Sequence, residues 1–208
     1  MTSRYAQIAF TTETKRHQQA HGSARSYERM AAGAEGADQL GPDEAWFIQE
    51  RDSFYLASAS ATGWPYVQHR GGPKGFVKVL DEHHIAFADY RGNKQYITTG
   101  NLDHDSRVSL FLVDYPHRAR LKVFGRARAV DVTTDEALVE AVRDKDYPGV
   151  PERVMVIEVE AFDWNCSQHI TPRFTKEEIE TAVEPLTTRL QELERENARL
   201  KAELASAR

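Results

Sequence analysis

Cys166 is the only cysteine, so no disulfide forms within the chain and a zinc site built on cysteines is excluded. That scarcity fits a reducing compartment, and a cytoplasmic location is the expectation. An excess of positive charge is also missing. Lysine and arginine number 27 against 32 aspartates and glutamates, a formal net charge of −5, so bulk charge points to no nucleic-acid partner. No apolar run reaches membrane-spanning length, so no membrane partner is expected. The opening MTSRYAQIAF lacks a long apolar core and runs on into charged residues, unlike a secretory signal. There is no Walker loop and no HExxH pattern. His17 and His21 stand four apart and would share a helix face, but no carboxylate accompanies them. They read as solvated histidines, and no metal site is expected.

What is present is an ordinary globular composition, 40% hydrophobic and 28% charged, long enough for one good domain with appendages. Residues 1–40 read as a helical lead-in. Tyr5, Ile8, Ala9 and Phe10 give it a weak apolar face, and the Ala- and Gly-rich stretch from Ala31 to Gly41 reads as a linker. Pro42 opens a short helix, Asp43 to Arg51, whose Ala45, Trp46, Phe47 and Ile48 suggest docking on a sheet.

From Ser53 the pattern changes to strands separated by turn residues. They are Ser53 to Ser60, Tyr66 to Arg70, Phe76 to Leu80, His84 to Ala88, Arg107 to Asp114, Ala119 to Val132, and Arg153 to Glu160. Short strands with tight turns predict a mainly β fold, an antiparallel barrel or sandwich, with flanking helices. The sixth strand alternates. Leu121, Val123, Gly125, Ala127 and Ala129 form a core face with Ala119, and Arg120, Lys122, Phe124, Arg126 and Arg128 form the opposite, basic face. Thr133 to Arg143 is a plausible helix.

Chemistry concentrates between His84 and Lys94. A strand there runs through the turn Asp89-Tyr90-Arg91-Gly92-Asn93 into a helix expected from Lys94 to about Asn101. A helix start carries free N–H groups and partial positive charge, which suits an anion. Arg91 and Lys94 flank it, and Gly92 lets backbone approach a ligand. These are the parts of a phosphate site, and equally of a helix start with two solvated cations. A second polar cluster, Trp164, Asn165, Cys166, Gln168, His169 and Arg173, falls in an irregular segment of the kind that carries function.

The ordered segments PYVQHRGG, FADYRGNK, RARLKVFG and FDWNCSQHITPRF resemble the pyridoxamine 5′-phosphate-oxidase-like family of FMN-binding split barrels, over roughly Gly41 to Phe174. The likeness is greatest to members with HRGGP and NCxxHITPR segments. The resemblance implies a six-stranded antiparallel split β-barrel over residues 41–174, and a homodimer with FMN at the subunit interface. By the same resemblance Gln68, His69 and Arg70 line the flavin, and Phe87 and Ala88 lie on the strand that holds it. Asn93 and Lys94 fall at the phosphate-binding pair, with Arg91 beside them. Arg120 falls where a glutamine usually contacts the ring, and Trp164 and Asn165 come from the partner subunit. Asn93 replaces the usual arginine, and the Arg-Leu-His-x-Arg segment of true pyridoxamine phosphate oxidases is absent. His169 and Arg173 are candidates to contact a small-molecule substrate. The function implied is that of an FMN-dependent oxidoreductase exchanging hydride between a small molecule or NAD(P)H and the flavin. The alternatives are a non-catalytic flavin-binding or sensor module, and a deazaflavin or haem binder on the same fold.

Residues 175–208 read as a C-terminal helix. Thr175-x-x-Glu178 is a capping box, and Pro185 is expected to end or kink the helix. Val183, Leu190, Asn197 and Leu204 then fit heptad position a, and Leu186, Leu193 and Leu200 fit position d. The pattern predicts a short dimeric coiled coil, the alternative being an amphipathic helix laid on its own barrel.

Overall fold

The computed structural model describes residues 3–32 and 35–207, so Gly33 and Ala34 of the expected linker lie outside the described residues. Three short helices, α1 (Arg4–Ala9), α2 (Thr12–Ala20) and α3 (Ala24–Ala31), precede α4 (Pro42–Gln49). The strands are β1 (Ser53–Ala59), β2 (Pro65–Gly71), β3 (Lys78–Val79), β4 (His84–Tyr90), β5 (Arg107–Asp114), β6 (Ala119–Asp131) and β7 (Pro151–Asn165). Helices α5 (Ile97–His104) and α6 (Glu136–Val142) interrupt them, and α7 (Lys176–Ser206) closes the chain. The sheet is antiparallel in the order β2-β1-β5-β6-β7-β4-β3, a split barrel of six long strands with the two-residue β3 at one edge.

The chain divides into two compact units. The first holds the whole sheet and its packed helices, up to Gln168; the second joins Tyr115–His117 to the residues from His169 onward. In the first unit Phe54, Phe76 and Phe87 stack edge and face in the core, with ring centroids 5.3 to 6.2 Å apart. β4 is buried on both faces. Ile85 and Phe87 enter the main core, while Ala86 and Ala88 enter a second cluster with Val142, Val154 and Val156 under α6. That is why its sequence is a continuous apolar run rather than an alternation.

The N-terminal helices belong to the first unit. Tyr5 stacks on Phe124 of β6 at 4.5 Å, and Asp38 accepts from the Phe162 backbone N–H at 3.1 Å. In α4, Phe47 and Ile48 are buried as expected, but Trp46 is 60% exposed and takes no part in docking. The expected core face of β6 holds at Leu121, Val123, Gly125 and Ala127, whereas Ala129 is exposed. The register shifts between Phe124 and Gly125, a bulge against β7. Glycine is required there: a Cβ would lie 2.5 Å from the carbonyl oxygen of Glu158. Two of the four cations of the basic stripe on the opposite face are neutralised across the sheet. Lys122 pairs with Asp163 and Arg126 with Glu160, each at 2.8 Å. No helix among the described residues is long and apolar enough to cross a membrane.

In the second unit α7 is capped by the expected box, Thr175 Oγ1 accepting from Glu178 N–H at 3.2 Å while Glu178 Oε2 accepts from Thr175 N–H at 2.7 Å. Pro185 does not end the helix, which runs through it as a single 31-residue element. The missing amide bond costs one turn's connection, and more than five further turns carry on without it.

Candidate functional site

β4 continues two residues beyond the expected end, to Tyr90, because Asp89 finds cations inside the fold. Its Oδ1 is 2.5 Å from Arg70 Nη1 on β2, and its Oδ2 is 3.3 Å from Arg153 Nη1 on β7. Residues 91–96 then loop to α5, which starts at Ile97 rather than Lys94. Lys94 and Tyr96 both adopt left-handed backbone, with φ of 60° and 53°, and that interrupts the helix. Left-handed geometry in two non-glycine residues costs free energy and is a mark of a functional loop. Asn93 Oδ1 accepts from Gln95 N–H at 3.1 Å and shapes the turn. The start of α5 is pinned to the sheet: buried Thr98 donates to Gln68 at 2.9 Å, and buried Asn101 to Ser58 at 2.9 Å.

Between β2, this loop, the α5 start and the beginning of β7 lies a polar cavity of about 190 Å³. It brings together Gln68, Arg70, Asn93 and Lys94 of the expected residues. It adds Asp89, Tyr90, Tyr96, Glu152 and Arg153, which the sequence reading did not single out. Arg153 donates to Thr99 Oγ1 at 3.1 Å and lies over the Tyr96 ring at 4.9 Å. Arg91 turns to Glu152, Nε to Oε1 at 3.1 Å, and its side chain is 58% exposed. Among the residues that line the cavity, Arg70, Lys94 and Arg153 stand against Asp89 and Glu152, so the charged lining carries one more cation than acid. Among the described residues two buried polar atoms near this loop have no hydrogen-bond partner: Arg70 Nε, and the hydroxyl of Tyr90, whose ring packs on the second cluster.

A smaller cavity, about 160 Å³, adjoins on the other side of Arg70 and Asp89, where His69, Phe87 and Ala88 lie. His69 points to the opposite face of β2 from Gln68 and Arg70, its ring edge against Tyr55 at 5.6 Å. Arg120 and Asn165 are brought to each other rather than to this cavity. They are paired across β6 and β7, and with the Asn165 amide turned so that its oxygen faces the guanidinium, that oxygen accepts from Arg120 Nε and Nη2 at 2.6 Å. Trp164 donates to Glu44 at 2.6 Å and packs on Phe47. His169 and Arg173 belong to the second unit, where Arg173 covers the Tyr115 ring at 4.9 Å. A larger concavity of about 460 Å³, between α1, β1, β5 and β6, contains none of the expected site residues.

Burial, with the negative charge of Asp144 and the neighbouring Tyr147, pushes the Tyr90 phenol above its usual 10.0. It is therefore a neutral donor at physiological pH. A folded value above the unfolded one means the unfolded chain loses its proton first. The stability held by the neutral phenol is full below pH 10 and is lost as pH rises through the folded value. Tyr90→Phe is expected to melt no lower than the wild-type chain at pH 7, since the hydroxyl has no partner. It should also lose part of the decline above pH 10. Denaturant unfolding at both pH values checks this, and a variant that is destabilised at pH 7 would contradict it.

Residues 43–165 match the family model described as pyridoxamine 5′-phosphate oxidase. Among solved structures, HupZ of Group A Streptococcus aligns with a TM-score of 0.50 and 18% identity, covering 65% of this chain and 99% of that one. A putative pyridoxamine 5′-phosphate oxidase from Lactobacillus delbrueckii aligns at 0.46 and 21% identity, covering 60% and 93%. An FMN-binding protein from Syntrophomonas wolfei aligns at 0.43 and 11%, covering 60% and 85%. At these identities the likeness is one of fold. No curated protein matches the chain.

Proposed function

We propose, from the premise that the chain belongs to the pyridoxamine 5′-phosphate oxidase-like family, that it binds FMN and acts as an oxidoreductase. The observation that carries this is the cavity at the α5 start: its charged lining carries one more cation than acid, it is lined by Lys94, and it holds Arg70, whose buried Nε has no hydrogen-bond partner among the described residues. A terminal phosphate dianion matches that charge, and a buried donor without a partner is expected to find one in a ligand.

In this reading Lys94 and the N–H groups of the first α5 turn hold the phosphate, as free amides and dipole favour an anion there. Arg70 and Arg153 lend positive charge while Asp89 keeps both in place. Arg91 serves as an outer cation steadied by Glu152. Thr98 orients Gln68, whose carboxamide then presents its N–H₂ donors to the ligand. When bound, the flavin supplies hydride exchange with a small molecule or NAD(P)H and onward electron transfer to a small acceptor.

A cavity of about 190 Å³ is smaller than the 300–1,000 Å³ typical of a whole cofactor site. It suits the phosphate end alone. The rest of the site would be completed in a homodimer, with Trp164 and Asn165 of the partner subunit near the ring.

The test is an absorption spectrum of the purified chain before and after FMN, then after anaerobic NADPH. Flavin bands that bleach support the full reading. Flavin bands that persist, with no turnover of any reductant, leave a binding or sensor module. Failure to bind FMN at micromolar concentration overturns the reading and turns attention to deazaflavin and, through a Soret band, haem.

A further inference from the structure

Helix α7 is continuous from Lys176 to Ser206 and has no buried residue. Its apolar side chains share one seam. Ile179, Leu186, Leu193 and Leu200 occupy heptad position d, and Val183, Leu190 and Leu204 occupy position a, with Asn197 as the fourth a residue of that run. The seven apolar side chains are between 43% and 70% exposed. Seven large apolar residues in register along one open helix face are a surface without its counterpart.

We propose that this seam docks on the same seam of a second copy of the chain, forming a parallel, in-register, two-stranded coiled coil. Charge selects that occupant. Parallel pairing sets position g of one helix against position e of the next heptad in the other. Here that places Arg189 opposite Glu194 and Glu196 opposite Lys201, opposite signs in both cases. Arg189 now bonds Glu192 at 3.0 Å on its own helix, with both side chains more than half exposed. Such a pair contributes little and leaves Arg189 free to exchange partners.

Asn197 selects the same arrangement. In a parallel dimer it meets its own counterpart, and the two amides satisfy each other. In an antiparallel dimer position a meets position d, and the amide would be buried against leucine without a partner. Pro185 falls at position c, on the outer side, so its missing hydrogen bond and the accompanying bend leave the seam intact. The seam is only two positions of seven wide, narrower than the stripe by which a helix packs on a globular body.

The test uses the full chain with Cys166→Ser, because the native thiol is exposed. Leu193→Cys puts a thiol at d, where a parallel dimer brings identical residues within disulfide reach, about 6 Å between Cα atoms. Mild oxidation at micromolar protein should convert most of it to a covalent dimer, while Thr188→Cys, at outward position f, should stay monomeric on a non-reducing gel. Adding Glu196→Lys should cut the cross-linking several-fold by facing Lys201 of the partner subunit, and Lys201→Glu on top should restore it. No cross-link at position 193, equal cross-linking at position 188, or no rescue by the reciprocal swap would each overturn the proposal. The readout needs no flavin, so its outcome is separate from that of the cofactor reading.

Discussion

Alanine at both Lys94 and Arg91 is expected to weaken FMN binding by about 2–4 kcal/mol, roughly 30- to 1,000-fold. Most of that should come from Lys94. A hydrogen bond to a charged group is worth about 1.5–3 kcal/mol, and Lys94, though exposed, lines the cavity itself. Arg91 is 58% exposed and already faces Glu152, so solvent and a carboxylate both discount it. Riboflavin provides the control, since it has the same ring and no phosphate. The double variant should lose FMN affinity and keep its riboflavin affinity, with the gap narrowing as salt screens the wild-type chain. Fluorescence titration with the two ligands decides it. Unchanged FMN binding, or an equal loss for riboflavin, would remove the phosphate from this loop.

The hairpin β5–β6 was readable from sequence almost to the residue, because alternation and a tight turn are local signals. The ends of β4 and β7 were not. Asp89 and Tyr90 read as a turn because aspartate is poor in strands. Asp89 stays extended because Arg70 and Arg153, 19 and 64 residues away, meet its carboxylate. Residues 161–165 read as irregular because Asp163, Asn165 and the polar residues after them interrupt a strand pattern. They are strand because each pairs with β6, with Lys122 opposite Asp163 and Arg120 opposite Asn165. The expected third strand, Phe76 to Leu80, shrinks to Lys78–Val79, although Phe76 and Val77 are buried as a strand would have buried them. Tertiary pairing overrode local propensity in all three places. The site divides in the same way. The loop from Arg91 to Lys94 announced itself through glycine and cations, whereas Arg153 enters from the distant start of β7 and left no local trace. An aspartate continuing an apolar strand was the one available hint, since such a residue needs a buried cation.

That cation pair underlies the larger stability prediction. Asp89 is 7% exposed, and the Arg70 and Arg153 side chains on either side of it are 13% and 17% exposed. Asp89→Ala would leave Arg70 without its carboxylate, and Arg153 with Glu152 alone, 3.2 Å from its Nη2, in a largely desolvated place. Removing one partner of a buried pair costs about 3–5 kcal/mol, which for a domain of this size lowers Tm by roughly 10 °C. Asp89→Asn should lie between, since its amide oxygen still accepts one bond but carries no charge. Arg70 then faces a neutral group while Arg153 keeps Glu152, and an anion in the cavity becomes the counterion that Arg70 lacks. Saturating FMN or inorganic phosphate should therefore raise the Tm of Asp89→Asn by more than that of the wild-type chain, because a ligand stabilises in proportion to its affinity for the folded state. Replacing Arg70 as well, in Asp89→Ala with Arg70→Met, should recover part of the loss, since the uncompensated charge leaves with it. Thermal melts of these variants with and without the anion measure all three effects. A melting temperature for Asp89→Ala within a degree or two of wild type would mean that Arg70 and Arg153 hold their positions without it, and the cavity's charge would need another source of order.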